Sequence, residues 1–267
     1  MDPLMHGLLA AVMMVFLLLT GMPVAYALGF TAITFLLIQD GPGAFEVVAD
    51  TLFGALDEFA LLSIPMFLLM GSAIAASRAG PDLYEALDRW LYRVPGGLLI
   101  SNIGACGVFA ALTGSSPATC AAIGKMGIPE MRQRGYPASL ATGAIAAGGT
   151  LGILIPPSIT MIVYGIATET SIGRLFMAGL LPGIMLMLLF MAWSWFFAYS
   201  KGYHFTEEGK HFSLRDKLVI LPKILPFLAI IVLVLWALYG GVATPSEASG
   251  VGAMVCILLV MLIYRVW

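Results

Sequence analysis

Two apolar stretches of this sequence are interrupted near their middles by residues that stop helices. The first contains the turn Thr113-Gly114-Ser115-Ser116-Pro117, and the second contains the run Gly148-Gly149-Thr150-Leu151-Gly152-Ile153-Leu154-Ile155-Pro156-Pro157-Ser158. Glycine frees the backbone to leave the helix, and proline removes a hydrogen-bond donor. Within hydrocarbon, an open backbone is tolerated only where protein covers it or a cavity adjoins it. Two such breaks close together therefore predict a site near the bilayer midplane.

The composition indicates an all-α polytopic membrane protein. Of 267 residues, 60% are hydrophobic and 10% are charged, and the mean hydropathy is +0.98, which is too apolar for a water-soluble domain of this length. A net charge of -2 argues against nucleic acid as a partner. The three cysteines lie in apolar stretches without metal-binding spacing, so we interpret them as buried small residues and expect no cofactor.

Apolar runs of spanning length are separated by short polar segments. The start of the chain lacks the basic region of a signal peptide, so the first run is predicted to be a retained span. The acidic segment 41–60 has apolar residues at helical spacing and is predicted to be an amphipathic helix in the membrane interface. Residues 78–95 are predicted to form a polar loop, and residues 201–223 a soluble loop that holds His204 and His211. The predicted spans are 4–20, 22–38, 61–77, 138–168, 176–199, 218–240 and 246–266.

The first interrupted stretch is predicted to begin and end on the same side of the membrane, whereas the second is predicted to cross the membrane. Residues 96–135 form a helix, a turn and a return helix with basic residues near both ends, which predicts a re-entrant hairpin that returns to its starting side. The segment 138–168 is predicted to cross the membrane as a helix broken in its middle. The sequence thus predicts one hairpin and one broken helix whose interruptions meet at the same depth.

The distribution of Lys and Arg predicts the topology. With the amino terminus in the periplasm, eleven basic residues fall on the cytoplasmic side of the inner membrane, Arg174 falls on the periplasmic side, and Lys125 lies within the predicted hairpin. A second repeat would then begin near Lys217 with the opposite orientation to the first, as in inverted-repeat transporters. The predicted parts are scaffold and interfacial helices at 1–60, half of a transport domain at 61–175, a span and cytoplasmic loop at 176–216, and the start of a second repeat at 217–267.

The helix ends at the two breaks predict the chemistry of the site. Helices that begin at Pro117 and near Ser158 present free N–H groups and partial positive charge, which suit a carboxylate. The predicted substrate site comprises Gly114, Ser115, Ser116, Pro117, Thr150 and Ser158. Helices that end near Leu112 and Gly148 present carbonyls, and with the nearby hydroxyls they suit a monovalent cation such as sodium. Lys125 on the return helix either lines the substrate path, snorkels to the interface or pairs with Glu130.

These residues resemble the large membrane subunit of tripartite ATP-independent periplasmic (TRAP) transporters. The resemblance covers nearly the whole chain in the family's order. It rests on Gly114-Ser115-Ser116-Pro117-Ala118-Thr119, Ile128-Pro129-Glu130-Met131, Arg134-Gly135-Tyr136, Gly149-Thr150-Leu151-Gly152, Ile155-Pro156-Pro157-Ser158, Tyr164-Gly165 and Gly241-Val242-Ala243-Thr244-Pro245-Ser246-Glu247-Ala248.

The resemblance implies a sodium-coupled transporter with an elevator mechanism. Such a subunit takes a small organic anion, for example a C4-dicarboxylate, sialic acid or a sugar acid, from a periplasmic binding protein. It works with a small four-helix membrane subunit. By the same resemblance, one sodium ion is held by the hydroxyls of Ser115 and Ser116 and by the backbone at Gly149, Gly152, Ile155 and Pro157.

The resemblance also implies a complete second repeat, of which this sequence carries two spans. We expect a fragment, a truncated reading frame or a chain completed by another polypeptide. One alternative function is a non-transporting membrane scaffold, an assembly subunit or an inactive fragment. The remote alternative is an intramembrane hydrolase with Ser115 or Ser116 as nucleophile, but no histidine lies in a membrane segment near the hairpin to serve as its base. We therefore expect a protein that is not an enzyme.

Overall fold

The computed structural model describes residues 3–202 and 213–264, which are helical apart from turns and short connections. Four helical segments in these ranges are long and apolar enough to cross a membrane: Val24–Leu56, Phe59–Ala76, Ile172–Lys201 and Pro245–Tyr264. The described residues form twelve α-helices: α1 (Pro3–Leu19), α2 (Val24–Asp40), α3 (Ala44–Leu56), α4 (Ser63–Ala76), α5 (Ala79–Leu91), α6 (Gly97–Thr113), α7 (Ser116–Gln133), α8 (Ala138–Gly149), α9 (Ile159–Ala167), α10 (Ile172–Lys201), α11 (Leu214–Tyr239) and α12 (Pro245–Tyr264).

The chain divides into two compact units, Met1–Glu58 and Phe59–Trp267. In the first unit, α1 packs on α2 across a turn in which Gly21 adopts a left-handed conformation with φ of 82°. A single 3-10 turn at Gly41–Gly43 joins α2 to α3, so that the helical path continues from one into the other. The predicted helix within 41–60 is therefore present as α3, and its placement in the membrane interface stays a prediction.

In the second unit, the predicted polar loop at 78–95 is wrong, because most of this segment forms α5. Leu83, Leu87 and Leu91 recur at helical spacing and give α5 an apolar face. Leu83 and Tyr84 are buried, whereas Glu85 and Trp90 are exposed. The segment is polar in composition because its other face is solvated, and this obscured the helix in the sequence.

Helix α5 connects the ends of three other helices. The Arg134 guanidinium, just after α7, binds Asp88 of α5 at 3.1 Å. Arg89 of α5 donates from Nη1 to the carbonyl of Asp216 in the first turn of α11 at 2.8 Å. The hydroxyl of Tyr264, which ends α12, donates to Asp82 at 3.0 Å. The last turn of α7, the first turn of α11 and the last turn of α12 therefore lie at one end of the unit.

Helices α4 and α12 pack against each other and run in the same direction. Near the start of both, Ser246 donates from Oγ to the carbonyl of Phe59 at 2.9 Å. Further along, the thiol of Cys256 lies 3.8 Å from the carbonyl of Met70. The predicted layout requires these two spans to be parallel, since both were expected to run from the periplasm to the cytoplasm.

The segment after α10 is described in part. Residues 203–212, which include His204 and His211, lie outside the described residues. Helix α11 begins at Leu214, four residues before the predicted span, so the later part of the predicted soluble loop is helical. Helix α11 bends by 54° between its segments Arg215–Pro222 and Ile224–Tyr239, beside Pro222. Proline is a common cause of such kinks because its ring displaces the preceding turn.

Candidate functional site

The structure has the hairpin that the sequence predicts. Helices α6 and α7 are separated by Gly114 and Ser115, and Gly114 adopts a left-handed conformation with φ of 60°. The open end of the hairpin is where α6 begins and α7 ends. There Gly96 packs so closely on Ala198 of α10 that a Cβ added to Gly96 would lie 2.5 Å from the alanine Cβ. Arg134, which follows α7 on the other arm of the hairpin, binds Asp88 of α5. Both arms therefore start and finish near the ends of neighbouring helices, and the tip points into the unit.

The broken helix is also present, and its two prolines explain the break. Helix α8 ends at Gly149, a 3-10 turn covers Thr150–Ile153, and α9 begins at Ile159. In a continuous helix the N–H groups of residues 156 and 157 would bond the carbonyls of Gly152 and Ile153. Proline has no N–H group, so both carbonyls lose their donors. The Ser158 hydroxyl replaces one of them by donating to Ile153 at 2.9 Å.

The hairpin tip and the broken helix are in direct backbone contact. The N–H group of Ile159, the first residue of α9, donates to the Gly114 carbonyl at 3.2 Å. A Cβ added to Gly114 would lie 2.6 Å from the carbonyl oxygen of Pro157. A Cβ added to Gly152 would lie 2.6 Å from the amide nitrogen of Ser116. Only glycine permits these approaches, so Gly114 at the end of α6 and Gly152 in the 3-10 turn allow the two breaks to meet.

Several oxygens at this contact have no hydrogen-bond partner in the part of the chain that the structure describes. They include the backbone carbonyls of Gly152, Ile155 and Pro157. The hydroxyl of Ser116 is buried and likewise without a partner among the described residues. Buried polar groups almost always have partners, so unpaired oxygens in one place indicate room for a ligand or water. Neutral oxygens of this kind suit a hard cation.

The other predicted site residues lie around this contact and take different roles. Ser115 is the N-cap residue of α7, and its side chain makes no capping hydrogen bond. Thr150 is exposed and donates to the carbonyl of Ala147 at 2.7 Å. Ser158 is fully buried and caps α9, because its hydroxyl also accepts from the Met161 N–H group at 3.4 Å. Pro117 is exposed in the first turn of α7, which begins one residue earlier than predicted.

Gly149 and Cys120 illustrate how tightly α7 and α8 pack beside the site. A Cβ added to Gly149 would lie 2.0 Å from the Cys120 sulfur. The Cys120 thiol in turn lies 3.6 Å from the carbonyl of Ile145. Cys120 is half-buried and Cys106 is buried on α6, where its sulfur would contact a Cβ added to Gly148. These cysteines therefore serve as small packing residues at the end of α8.

Two threonines that the sequence did not single out stabilise the hairpin tip. The hydroxyls of Thr113 and Thr119 lie 3.2 Å apart, and both side chains are buried. Thr119 also donates to the carbonyl of Ser115 at 2.9 Å, which closes the first turn of α7. Gly71 of α4 lies against Thr113 so closely that an added Cβ would be 2.9 Å from the threonine Cα. The tip is thus held from both sides of the turn.

Helix α10 supports the broken helix through two glycines spaced four residues apart. A Cβ added to Gly179 would lie 2.7 Å from the carbonyl of Leu154, and one added to Gly183 would lie 2.8 Å from the side chain of Ile155. Small residues four apart are a known signal for close approach of membrane helices. The sequence contains this signal at 179 and 183, but the position of the broken helix was needed to show what packs there.

An ionic cluster holds the open end of the hairpin. Arg134 contacts both oxygens of Asp88, at 3.1 and 3.4 Å, and binds Glu130 at 2.7 Å. Burial by itself lowers the pKa of the guanidinium, but the charge of Asp88 and hydrogen bonds to both carboxylates outweigh burial and raise the pKa above its ordinary value. Arg134 therefore stays charged and links α7 to α5.

Comparison with known proteins identifies the family. The family model for the tripartite ATP-independent periplasmic transporter, DctM component, matches residues 11–267. The chain belongs to this family. It is similar to the C4-dicarboxylate TRAP transporter large permease protein DctM of Pseudomonas aeruginosa, with 39% identity over 88% of this chain and 54% of that protein.

Two further relatives carry different substrate names. The isethionate TRAP transporter permease protein DctMQ of Oleidesulfovibrio alaskensis is 34% identical over 93% of this chain and 39% of that protein. The sialic acid TRAP transporter large permease protein SiaM of Vibrio cholerae is 30% identical over 93% of this chain and 57% of that protein. The chain spans about half the length of the curated relatives it matches.

Membership of this family, together with the apolar helices, establishes a multi-pass inner-membrane protein of the TRAP large-permease class. The relatives are named as permease subunits of transporters, which are not enzymes. The prediction that this chain is not an enzyme is therefore confirmed, and the hydrolase alternative is excluded.

Proposed function

We propose that this chain supplies one half of the ion and substrate site of a sodium-coupled transporter for a small organic anion. The observation that carries the proposal is the contact between the Gly114 carbonyl and the Ile159 N–H group. This contact brings the hairpin tip against the broken helix and leaves unpaired oxygens beside it. A site built from two interrupted elements in contact is the arrangement expected of secondary transporters.

The sodium ion is assigned to the oxygens at this contact. Its proposed ligands come from Ser115, Ser116, Gly149, Gly152, Ile155 and Pro157. Support for this set comes from the partnerless Ser116 hydroxyl and from the carbonyls of Gly152, Ile155 and Pro157, which accept no hydrogen bond from a described residue. Sodium acts here as a coupling ion, so its binding is expected to stabilise the tip against the broken helix.

The substrate carboxylate is assigned to the helix amino termini on the same contact. The proposed residues are Gly114, Ser115, Ser116, Pro117, Thr150 and Ser158. Helices α7 and α9 both begin here, and the partial positive charge at a helix start favours an anion. In α9 the N–H groups of Ile159 and Met161 are already bonded, to the Gly114 carbonyl and the Ser158 hydroxyl, so α9 contributes mainly through its dipole. Three of the relatives are named for C4-dicarboxylate, isethionate and sialic acid, which are organic anions, and another is named for ectoine, which carries a carboxylate. The proposed substrate class is therefore a small carboxylate or a similar anion.

The wider transport cycle is proposed by analogy with the family. The partners would be a small four-helix membrane subunit and a periplasmic binding protein that delivers the anion. The amino terminus is assigned to the periplasm on the distribution of Lys and Arg. An elevator movement would carry the hairpin and the broken helix together, and their direct backbone contact supports treating them as one moving body.

Sodium-dependent stability of the purified chain tests the proposal. We expect sodium chloride, but not potassium chloride, to raise the melting temperature in detergent. The double variant Ser115→Ala with Ser116→Ala should lose this difference, whereas Ser200→Ala, an exposed serine near the end of α10, should keep it. Equal melting temperatures in the two salts would overturn the ion site and favour the alternative role of a membrane scaffold.

A further inference from the structure

Helices α7 and α8 present one shared exposed face that begins at the proposed site. Cys120 contacts Ile145 and Gly149 of α8, and Gly124 contacts Ile145, so the two helices run antiparallel. In an antiparallel pair, the residue that follows each contact residue turns to the same side of both helices. The residues after these contacts are Ala121 and Lys125 on α7, Ala146 on α8, and Thr150 just after the end of α8. All four are exposed.

This face differs in character from the lipid-exposed faces of neighbouring helices. Near the hairpin tip its members are small or hydroxyl-bearing apart from Lys125, and toward the other end of α7 the exposed Pro129 and Arg132 continue it. The small and hydroxyl-bearing members are Pro117, Ala121, Ser139, Thr142, Gly143, Ala146 and Thr150. By contrast, the exposed face of α10 carries large apolar side chains such as Leu181, Met185 and Leu188. A face without large apolar groups is poorly suited to lipid contact.

Lys125 is the cation of this face nearer the hairpin tip, since Arg132 lies seven residues farther along α7. The structure rules out the predicted pairing of Lys125 with Glu130. Glu130, the predicted partner, binds Arg134 instead. Within residues 3–202 and 213–264, Lys125 makes no ion pair or hydrogen bond. Lys125 lies eight residues before the end of α7, about 12 Å along the helix axis, which is longer than its four-carbon stem. Snorkelling to the open end of the hairpin is therefore also disfavoured.

The direction of the side chain points Lys125 toward the site. Side chains on a helix lean toward its amino terminus, and α7 begins at Ser116 in the hairpin tip. We therefore expect the ammonium group to lie along the face toward Ala121 and Thr150. An unpaired charge at this depth in a membrane protein requires water or a counter-ion.

We propose that Lys125 attracts the anionic substrate along the α7–α8 face toward the hairpin tip. The residue sets charge selectivity on the access route and lies apart from the predicted ion ligands. This inference rests on the proposed function, because it concerns the anion that the same site would receive. The ligand class is a small organic anion in water, and a lipid-facing lysine is the outcome that the test must exclude.

Thiol labelling next to Lys125 tests this inference. The chain with Ala146→Cys is reconstituted into liposomes and treated with membrane-impermeant thiol reagents that differ only in charge, one a sulfonate and one a quaternary ammonium. Labelling of the unaltered chain, which has three native cysteines, is subtracted. The measured quantity is the labelling rate of the sulfonate reagent divided by that of the ammonium reagent. We expect this ratio to be about tenfold higher at position 146 than for a small thiol in solution.

Variants of Lys125 decide whether this preference comes from its charge. Lys125→Gln should abolish the preference and Lys125→Arg should keep it, while Arg132→Gln, an exposed cation near the end of the same helix, should leave it unchanged. Absence of labelling at position 146, or the same preference in Lys125→Gln, would overturn the inference. The melting temperatures of these variants in sodium and potassium test the ion site separately, because labelling rates report charge at position 125 without requiring sodium.

Discussion

The N–H group of Ile159 donates a hydrogen bond to the carbonyl oxygen of Gly114 at 3.2 Å. It joins the amino terminus of α9 to the turn between α6 and α7, two elements that lie far apart in the sequence. In each element glycine and proline interrupt the helix. The turn supplies a carbonyl acceptor and the start of α9 supplies an N–H donor, so the two interruptions satisfy each other's backbone groups.

Substitution of Gly152 should disturb the contact between the breaks. A Cβ at this position would lie 2.6 Å from the Ser116 nitrogen and 2.7 Å from the Ser115 carbonyl carbon, so backbone must move. We expect Gly152→Ala to destabilise the chain by about 1–3 kcal/mol and to remove the sodium effect on the melting temperature. Gly143→Ala in the preceding helix α8 is the control, since nothing lies within 4 Å of a Cβ added to Gly143. Equal melting curves for both variants would contradict this account.

The Ser158 hydroxyl should contribute measurably to stability as a helix cap. It accepts from the Met161 N–H group and donates to the Ile153 carbonyl, which Pro157 leaves without a donor. We expect Ser158→Ala to cost about 1–2 kcal/mol in the free energy of unfolding. Ser171 occupies the same N-cap position in α10 without a capping hydrogen bond, so Ser171→Ala should change little. Denaturant titration in detergent compares the two, and similar losses would count against a specific role for Ser158.

The contact between Arg134 and Asp88 should be stronger than surface ion pairs of the same chain. Both side chains are largely buried, with exposed fractions of 10% and 13%. We expect Asp88→Asn to destabilise the chain by about 1–3 kcal/mol, because the guanidinium keeps only Glu130 as a charged partner. The comparison variant is Glu85→Gln, which breaks the ion pair between Glu85 and Arg89. Because the Glu85 side chain is 48% exposed, we expect a loss of at most about 0.5 kcal/mol in the free energy of unfolding. Melting temperatures at low salt report both effects, and a larger loss for Glu85→Gln would refute the ranking.

Tyr136, which follows the ionic cluster, should contribute to alkaline unfolding. Burial raises the pKa of its phenol from 10.0 to about 12, so the folded state holds the proton more tightly than the unfolded state. The associated stability is present below pH 10 and decreases as the pH rises from 10 toward 12. Tyr136→Phe should therefore make the decrease in melting temperature over this range shallower. Tyr199→Phe, which removes the phenol of an exposed tyrosine on α10, is the comparison variant, and an equally shallow decrease in both variants would count against a specific role for Tyr136.

The breaks themselves were predictable from sequence because their cause is local. Gly114 permits a left-handed turn, and Pro156 with Pro157 removes two donors in succession, whatever the rest of the chain does. The family was also predictable, since the motifs around these breaks occur in order along the chain. The loop predicted at 78–95 was wrong because its polar composition hid an apolar face that only packing on α6 and α11 makes necessary.

The amino-acid sequence by itself determined that this chain is a helical membrane protein with two interrupted elements, because hydrophobicity and missing backbone donors act residue by residue. The tertiary structure decided which oxygens remain unpaired, because Ser158 satisfies Ile153 while Gly152, Ile155 and Pro157 receive no donor among the described residues. It also decided the partner of Arg134 and the isolation of Lys125 within those residues, since ion pairing depends on which helix ends meet in space.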